Sequence, residues 1–142
     1  MITYSGKMNV NKHDFYETLL LQICADINEK TGRKLDLKSI KNGCRYKIKR
    51  KIGNKTIESI IEVKEPILDK KIETVNIKNG KEYSMTYEIE EINDNNIIVH
   101  YIQINANDND GLITKMMIKH TTRKRLKAFE KYIKAKKDEN EE

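Results

Sequence analysis

The residues that could carry acid–base, nucleophilic or metal chemistry are few and dispersed. Histidines stand at 13, 100 and 120, and no two have the spacing that places a pair on one metal. His13 sits at the start of a predicted helix, where a surface position is expected. His100 lies between Ile98 and Ile102 on a predicted strand and could point into the core. Cys24 falls on the apolar face of the first predicted helix, where a buried thiol is inert packing, and Cys44 opens a strand with no recognisable partner. Glu88, Glu90 and Glu91 offer neighbouring carboxylates, but strand alternation sends Glu88 and Glu90 to an outer face. The glycines fall at turns, without the spacing of a dinucleotide fingerprint or a phosphate loop. No catalytic residue, metal ligand or cofactor site is assigned on this pattern. The chain reads as a binding protein more readily than as an enzyme, and the question of activity stays open.

Two other sets of residues suit binding. Tyr46, Tyr83, Tyr87 and Tyr101 are the first; Tyr83 and Tyr87 alternate with Ser84, Thr86 and Glu88, so they share an inner face with Met85. A buried tyrosine hydroxyl needs a partner, and several inward tyrosines suggest a core with a polar cavity. The second set is a stripe of cations on the last predicted helix, Lys119, Arg123, Lys127, Lys131 and Lys134. Such a stripe suits phosphates or acidic partners, although no aromatic residues interleave with it for base stacking.

The sequence around these sets has 142 residues, with 37% hydrophobic and 35% charged side chains, and a net charge of +6. That length fits one domain with a core of its own. The charge is segregated. Residues 33–55 carry ten basic side chains and one acid, net +9; residues 58–110 carry five and twelve, net −7; residues 112–137 carry ten and one, net +9. Segregation of this kind attracts polyanions, or neutralises itself when the elements pack together. The apolar runs are too short to span a bilayer, and two cysteines without a leader sequence suggest a reducing cytoplasm.

The elements that must position these side chains follow from periodicity. Ile2, Tyr4, Gly6, Met8 and Val10 alternate as a strand, with Gly6 marking a bulge or close approach. Asn11 caps a helix whose apolar stripe is Phe15, Leu19, Leu20, Ile23, Cys24 and Ile27, ended by Gly32. Leu35 to Ile40 suggests a helical turn. Strands then run from Cys44 to Ile52 and from Ile57 to Val63, with Pro66 expected to stop the latter. A weaker strand spans 72–77, Asn79-Gly80 signals a type I′ hairpin, and two further strands flank a turn at 93–96. In the last helix, Leu112, Ile113, Met116 and Met117 form one apolar cluster and Ile118, Leu126, Phe129, Tyr132 and Ile133 a second, on different sides. One straight helix cannot bury both on one surface, so a break is predicted near 119–121. The expected organisation is one domain over 1–135 and a charged, disordered tail over 136–142.

The order strand, helix, five to six antiparallel strands and long final helix is similar to the START-like, or helix-grip, superfamily. The runs 11–17 (NKHDFYE), 26–35 (DINEKTGRKL), 83–89 (YSMTYEI), His100-Tyr101 and 123–125 (RKR) resemble an uncharacterised START-like family of Gram-positive bacteria. The resemblance covers nearly the whole chain. It implies an α+β fold in which a curved antiparallel sheet of about six strands wraps around a long C-terminal helix, often leaving a cavity between them. It carries over no catalytic residues. The cavity wall is then expected to include Tyr46, Ile48, Ile61, Tyr83, Met85, Tyr87, Phe129 and Ile133, holding a small apolar or amphipathic ligand. The alternative is nucleic-acid or acidic-protein binding along the cationic stripe. A cyclase or hydrolase of the kind found on related folds is disfavoured, because no acid–base pair converges. Oligomeric state stays open.

Overall fold

A computed structural model describes residues 1–107 and 109–141, with the side chains of 140 and 141 outside that description. Strand β1 (Ile2–Met8) leads into helix α1 (Lys12–Thr31) and a 3-10 turn (Leu37–Ser39). Five strands follow: β2 (Arg45–Ile52), β3 (Lys55–Ile67), β4 (Lys71–Lys78), β5 (Lys81–Asn93) and β6 (Asn96–Ile104). Helix α2 (Leu112–Glu141) closes the chain. The strands form one antiparallel sheet in the order β1-β6-β5-β4-β3-β2. Each meander hairpin adds a strand beside the last, and the first strand closes against the final one.

Local chemistry explains most boundaries. The Asn11 side chain accepts from the backbone N–H groups of His13 and Asp14, and Gly32 adopts the left-handed conformation that ends α1. Asn79 and Gly80 both have positive φ, +51° and +74°, as a type I′ turn requires. Pro66 does not stop β3. The strand continues to Ile67, and a register shift between Lys64 and Ile67, with Glu65 at φ +48°, absorbs the missing donor in a bulge.

The core lies on one face of the sheet, under both helices. Phe15, Ile27, Val63, Ile72, Ile97 and Val99 are fully buried within it. Odd-numbered residues of β6, Ile97, Val99 and Tyr101, point inward. His100 therefore faces outward, contrary to the core position considered for it. It lies half-buried between the Ser5 hydroxyl and the Glu90 carboxylate, at 2.8 and 2.9 Å. His13 pairs with Asp69 at 2.8 Å on the surface, and His120 is exposed.

Helix α2 is uninterrupted from Leu112, without the break expected near 119–121, and its helical run extends to Glu141. The conflict between its two apolar clusters is resolved differently. Ile118, Leu126, Phe129 and Ile133 turn toward the sheet, while Leu112, Ile113, Met116 and Met117 stay in solvent. Tyr132, grouped with the second cluster, is also exposed.

Helix α2 crosses β1 at Gly6. A Cβ there would stand 3.0 Å from the Tyr4 ring and 3.5 Å from Leu126 Cδ1. The β1–β6 register is unbroken, so the glycine serves the close approach and not a bulge. Gly6→Val is expected to lower unfolding stability by about 1–3 kcal/mol through overpacking. Thr3→Val on the exposed face of the same strand should change it by less than about 0.5 kcal/mol. Equal effects in urea titrations would show that α2 does not press on this position.

Candidate ligand cavity between the sheet and the helices

A cavity of about 440 Å³ lies between the second half of α1, the inner face of β3–β5 and the middle of α2. That size is within the range of small-molecule sites. Leu19, Ile23 and Ile27 supply the helical wall, Ile61, Ile72 and Met85 the sheet, and Phe129 the side toward α2. Gln22, Asp26 and Lys30 stand along the exposed side of α1 at its mouth, with Gln22 donating to Asp26 at 3.0 Å.

Polar groups converge on this apolar space from two directions. From the sheet, Asn76 presents an Oδ1 atom that is buried and has no hydrogen-bond partner among the described residues. Buried acceptors are rarely left unpaired, since desolvation without a partner costs about 1–3 kcal/mol. From α2, Arg125 Nη1 donates to the Tyr87 hydroxyl at 2.9 Å. That bond uses one of five guanidinium donors. Burial lowers the Arg125 pKa, but the Tyr87 and Tyr101 hydroxyl oxygens outweigh it, so the net shift is upward and the cation is secure.

Behind Arg125 runs a chain of side-chain bonds. The Tyr87 and Tyr101 rings lie 5.0 Å apart. The Tyr101 hydroxyl donates to Gln103 Oε1 at 2.6 Å, Gln103 Nε2 to Asn105 Oδ1 at 2.9 Å, and Asn105 Nδ2 to Asp110. Burial, then the neighbouring Tyr87, pushes the Tyr101 pKa up to about 12. No step of this chain brings an acid and a base together on a common point, and no cluster of metal-ligating groups occurs among the described residues.

The expected cavity residues separate into three groups. Ile61, Met85, Tyr87 and Phe129 line this cavity together. Tyr83 faces a second hollow beside residues 105–107, 109 and 110, and Ile133 a third between the two helices. Tyr46 and Ile48 are buried at the β2 edge, where the Tyr46 hydroxyl donates to the Ser39 carbonyl at 3.1 Å. Asn76, Ile72 and Thr74 on β4 escaped the sequence reading, because the strand looked weak. Arg125 escaped it because it lies off the cationic stripe; its spacing of four from Phe129 was the available signal. Of the stripe itself, Lys119, Arg123, Lys127, Lys131 and Lys134 are all exposed on α2.

The curved six-stranded sheet with a long final helix defines a START-like, helix-grip fold, and solved structures share it. A START superfamily protein from Mycobacterium smegmatis superposes with a TM-score of 0.55 at 11% identity, covering 94% of this chain and 97% of that one. The structure of Ara h 8.0201 gives 0.57 at 11% identity, with the same coverage. A conserved protein from Geobacillus kaustophilus gives 0.52 at 13% identity, covering 94% of each chain. At this identity the likeness is one of fold. No curated protein matches significantly. Residues 2–122 match the family described as Domain of unknown function (DUF3284), and the chain belongs to that family.

Two tyrosines give a direct check on the interior. Tyr101, as above, and Tyr46, through burial and then its bond with Cys44, both have pKa values of about 12. In absorbance titration near 295 nm they are expected to ionise last, well above the ordinary value of about 10. Both folded values lie above the unfolded one, so their contribution to stability is complete below about pH 10 and is lost as pH rises toward 12. Tyr101→Phe should remove part of that alkaline slope. Full ionisation of all tyrosines near pH 10 without unfolding would contradict the buried placement.

Proposed function

We propose that the protein binds a small amphipathic ligand in the sheet–helix cavity and catalyses no reaction. The observation that carries this reading is Asn76 Oδ1, a buried acceptor without a partner among the described residues, set in an apolar cavity of ligand size. The reading gives the ligand an apolar body against Ile23, Ile61, Met85 and Phe129. It gives it an N–H or O–H donor for Asn76 and an acceptor or anionic group for Arg125. A reducing, cytoplasmic setting belongs to the same reading; it rests on a cysteine content of two, too few for a disulfide framework.

A thermal-shift screen with fatty acids, aromatics and amphiphiles is the first test. A true ligand at a hundredfold excess over its Kd stabilises the native state by about 2.7 kcal/mol, several degrees in Tm for a domain of this size. Met85→Trp should fill the cavity and abolish the shift. Asn76→Leu has an unusual expected outcome: it removes an unpaired acceptor, so the free protein should gain up to about 1–3 kcal/mol while losing its response to donor-bearing ligands. A destabilised Asn76→Leu together with a blank screen would refute the proposal.

A further inference from the structure

The outward face of α2 is a second candidate surface, and its composition is unusual. Its first two turns expose Leu112, Ile113, Met116 and Met117 by 75%, 75%, 62% and 65%. Four adjacent large apolar side chains at such exposure are a patch that asks for a partner. Further along the helix, Arg123, Lys124, Lys127 and Lys131 are exposed too, and none makes an ion pair among the described residues. At 3.6 residues per turn, the apolar patch and these cations fall within one arc of roughly 140°. They continue one another along a single face, opposite the arc that buries Leu126 and Ile133.

Part of the other basic segment is matched by its neighbour strand: Arg45 pairs with Glu62, and Lys47 and Lys49 approach Glu58. On α2 the one described ion pair is Lys134 with Glu130. The first turn of α2 itself carries no acid and does carry Lys115. An apolar tip and a cationic shaft on one face are complementary to a surface that is anionic outside and apolar beneath.

We propose that this face docks on membranes rich in anionic phospholipid, with Leu112, Ile113, Met116 and Met117 entering the headgroup–acyl boundary while the cations contact headgroups. Interfacial helices bind by the sum of these two terms. Nucleic acid would use the cations but leave the apolar tip in water. A second copy fits less well. A parallel pairing sets cations against cations, and an antiparallel one sets each apolar tip against the other helix's lysines. The surface lies outside the cavity, so its test is independent of the ligand reading.

Flotation of the full chain with phosphatidylcholine vesicles, with and without phosphatidylserine, decides the matter. Binding is expected with phosphatidylserine, declining as salt is raised. Each cation near an anionic surface is worth roughly fivefold in affinity, so Arg123→Gln with Lys127→Gln should weaken binding roughly twentyfold or more. Met116→Ser with Met117→Ser should weaken it at least about tenfold. Leu112→Ser with Ile113→Ser is a second exposed pair, so the outcome does not rest on one variant. Absence of vesicle binding at low salt, equal binding to phosphatidylcholine alone, or indifference to both apolar pairs overturns the proposal. So does anisotropy showing tighter binding to duplex DNA than to vesicles, or a dimer in sedimentation that the methionine pair dissolves.

Discussion

Phe15 is the point at which both helices meet the middle of the sheet. Its ring is fully buried and meets Tyr87 of β5 edge-on at 6.5 Å and Phe129 of α2 at 6.1 Å, and Tyr87 in turn packs on Tyr101 of β6. One aromatic cluster therefore ties both helices to the middle of the sheet. Edge-to-face contacts are directional as well as apolar, so they fix the angle at which each helix lies on the strands. Gly6 adds the complementary constraint by letting α2 come down on β1. With the helices held near one end of α1, its second half stands over β3–β5 with space beneath it, and that space is the cavity. The cavity is thus a consequence of where the aromatic clamp sits, and it needs no separate device to hold it open.

Much of the fold was legible because its signals were local. Asn11 and Gly32 delimit α1 by hydrogen bonding and by positive φ, and Asn79-Gly80 demands the one turn that its two left-handed residues can make. The strict alternation of β5 gave its inner face without ambiguity. β6 was harder, since Ile97 to Ile102 is apolar in both parities, and alternation alone could not say whether His100 faced in or out. Pro66 misled for a related reason: proline excludes a regular ladder position, but a bulge supplies an irregular one within the same strand. The break anticipated in α2 rested on the premise that large apolar residues are buried, a rule that runs in one direction only.

The candidate site was half legible. Ile61, Met85, Tyr87 and Phe129 followed from face assignment, because an inner-face residue near the sheet centre must meet whatever covers it. The same logic also named Tyr46, Ile48 and Ile133, which share the apolar side but sit where packing closes on the β2 edge or between the helices. Periodicity gives a face and not a position along it; only the placement of the helices separates a cavity wall from filled core. Asn76 was invisible for a deeper reason. A polar residue on a strand reads as solvated, and its value as a buried, unpaired acceptor appears only when the third dimension removes the water.

Helix α2 shows how one element can serve two surfaces without compromise. Its inward arc is constrained by contact: Leu126 against β1, Phe129 against Phe15, Arg125 against Tyr87. Its outward arc is under no such constraint, yet it is not the mixed-sign surface that solubility alone would favour. Residues 45–49 are also strongly basic, but β3 sets Glu58 and Glu62 opposite them, so that part of the charge segregation is spent within the sheet. Among the described residues no strand lies over the outer arc of α2 to do the same and its exposed cations make no ion pair, and four large apolar side chains remain in water beside them. Leaving such side chains exposed forgoes roughly 1.5–3 kcal/mol of burial for each. Neither the packing of the core nor the shape of the cavity requires their presence there; the proposed membrane contact is what would give them a role.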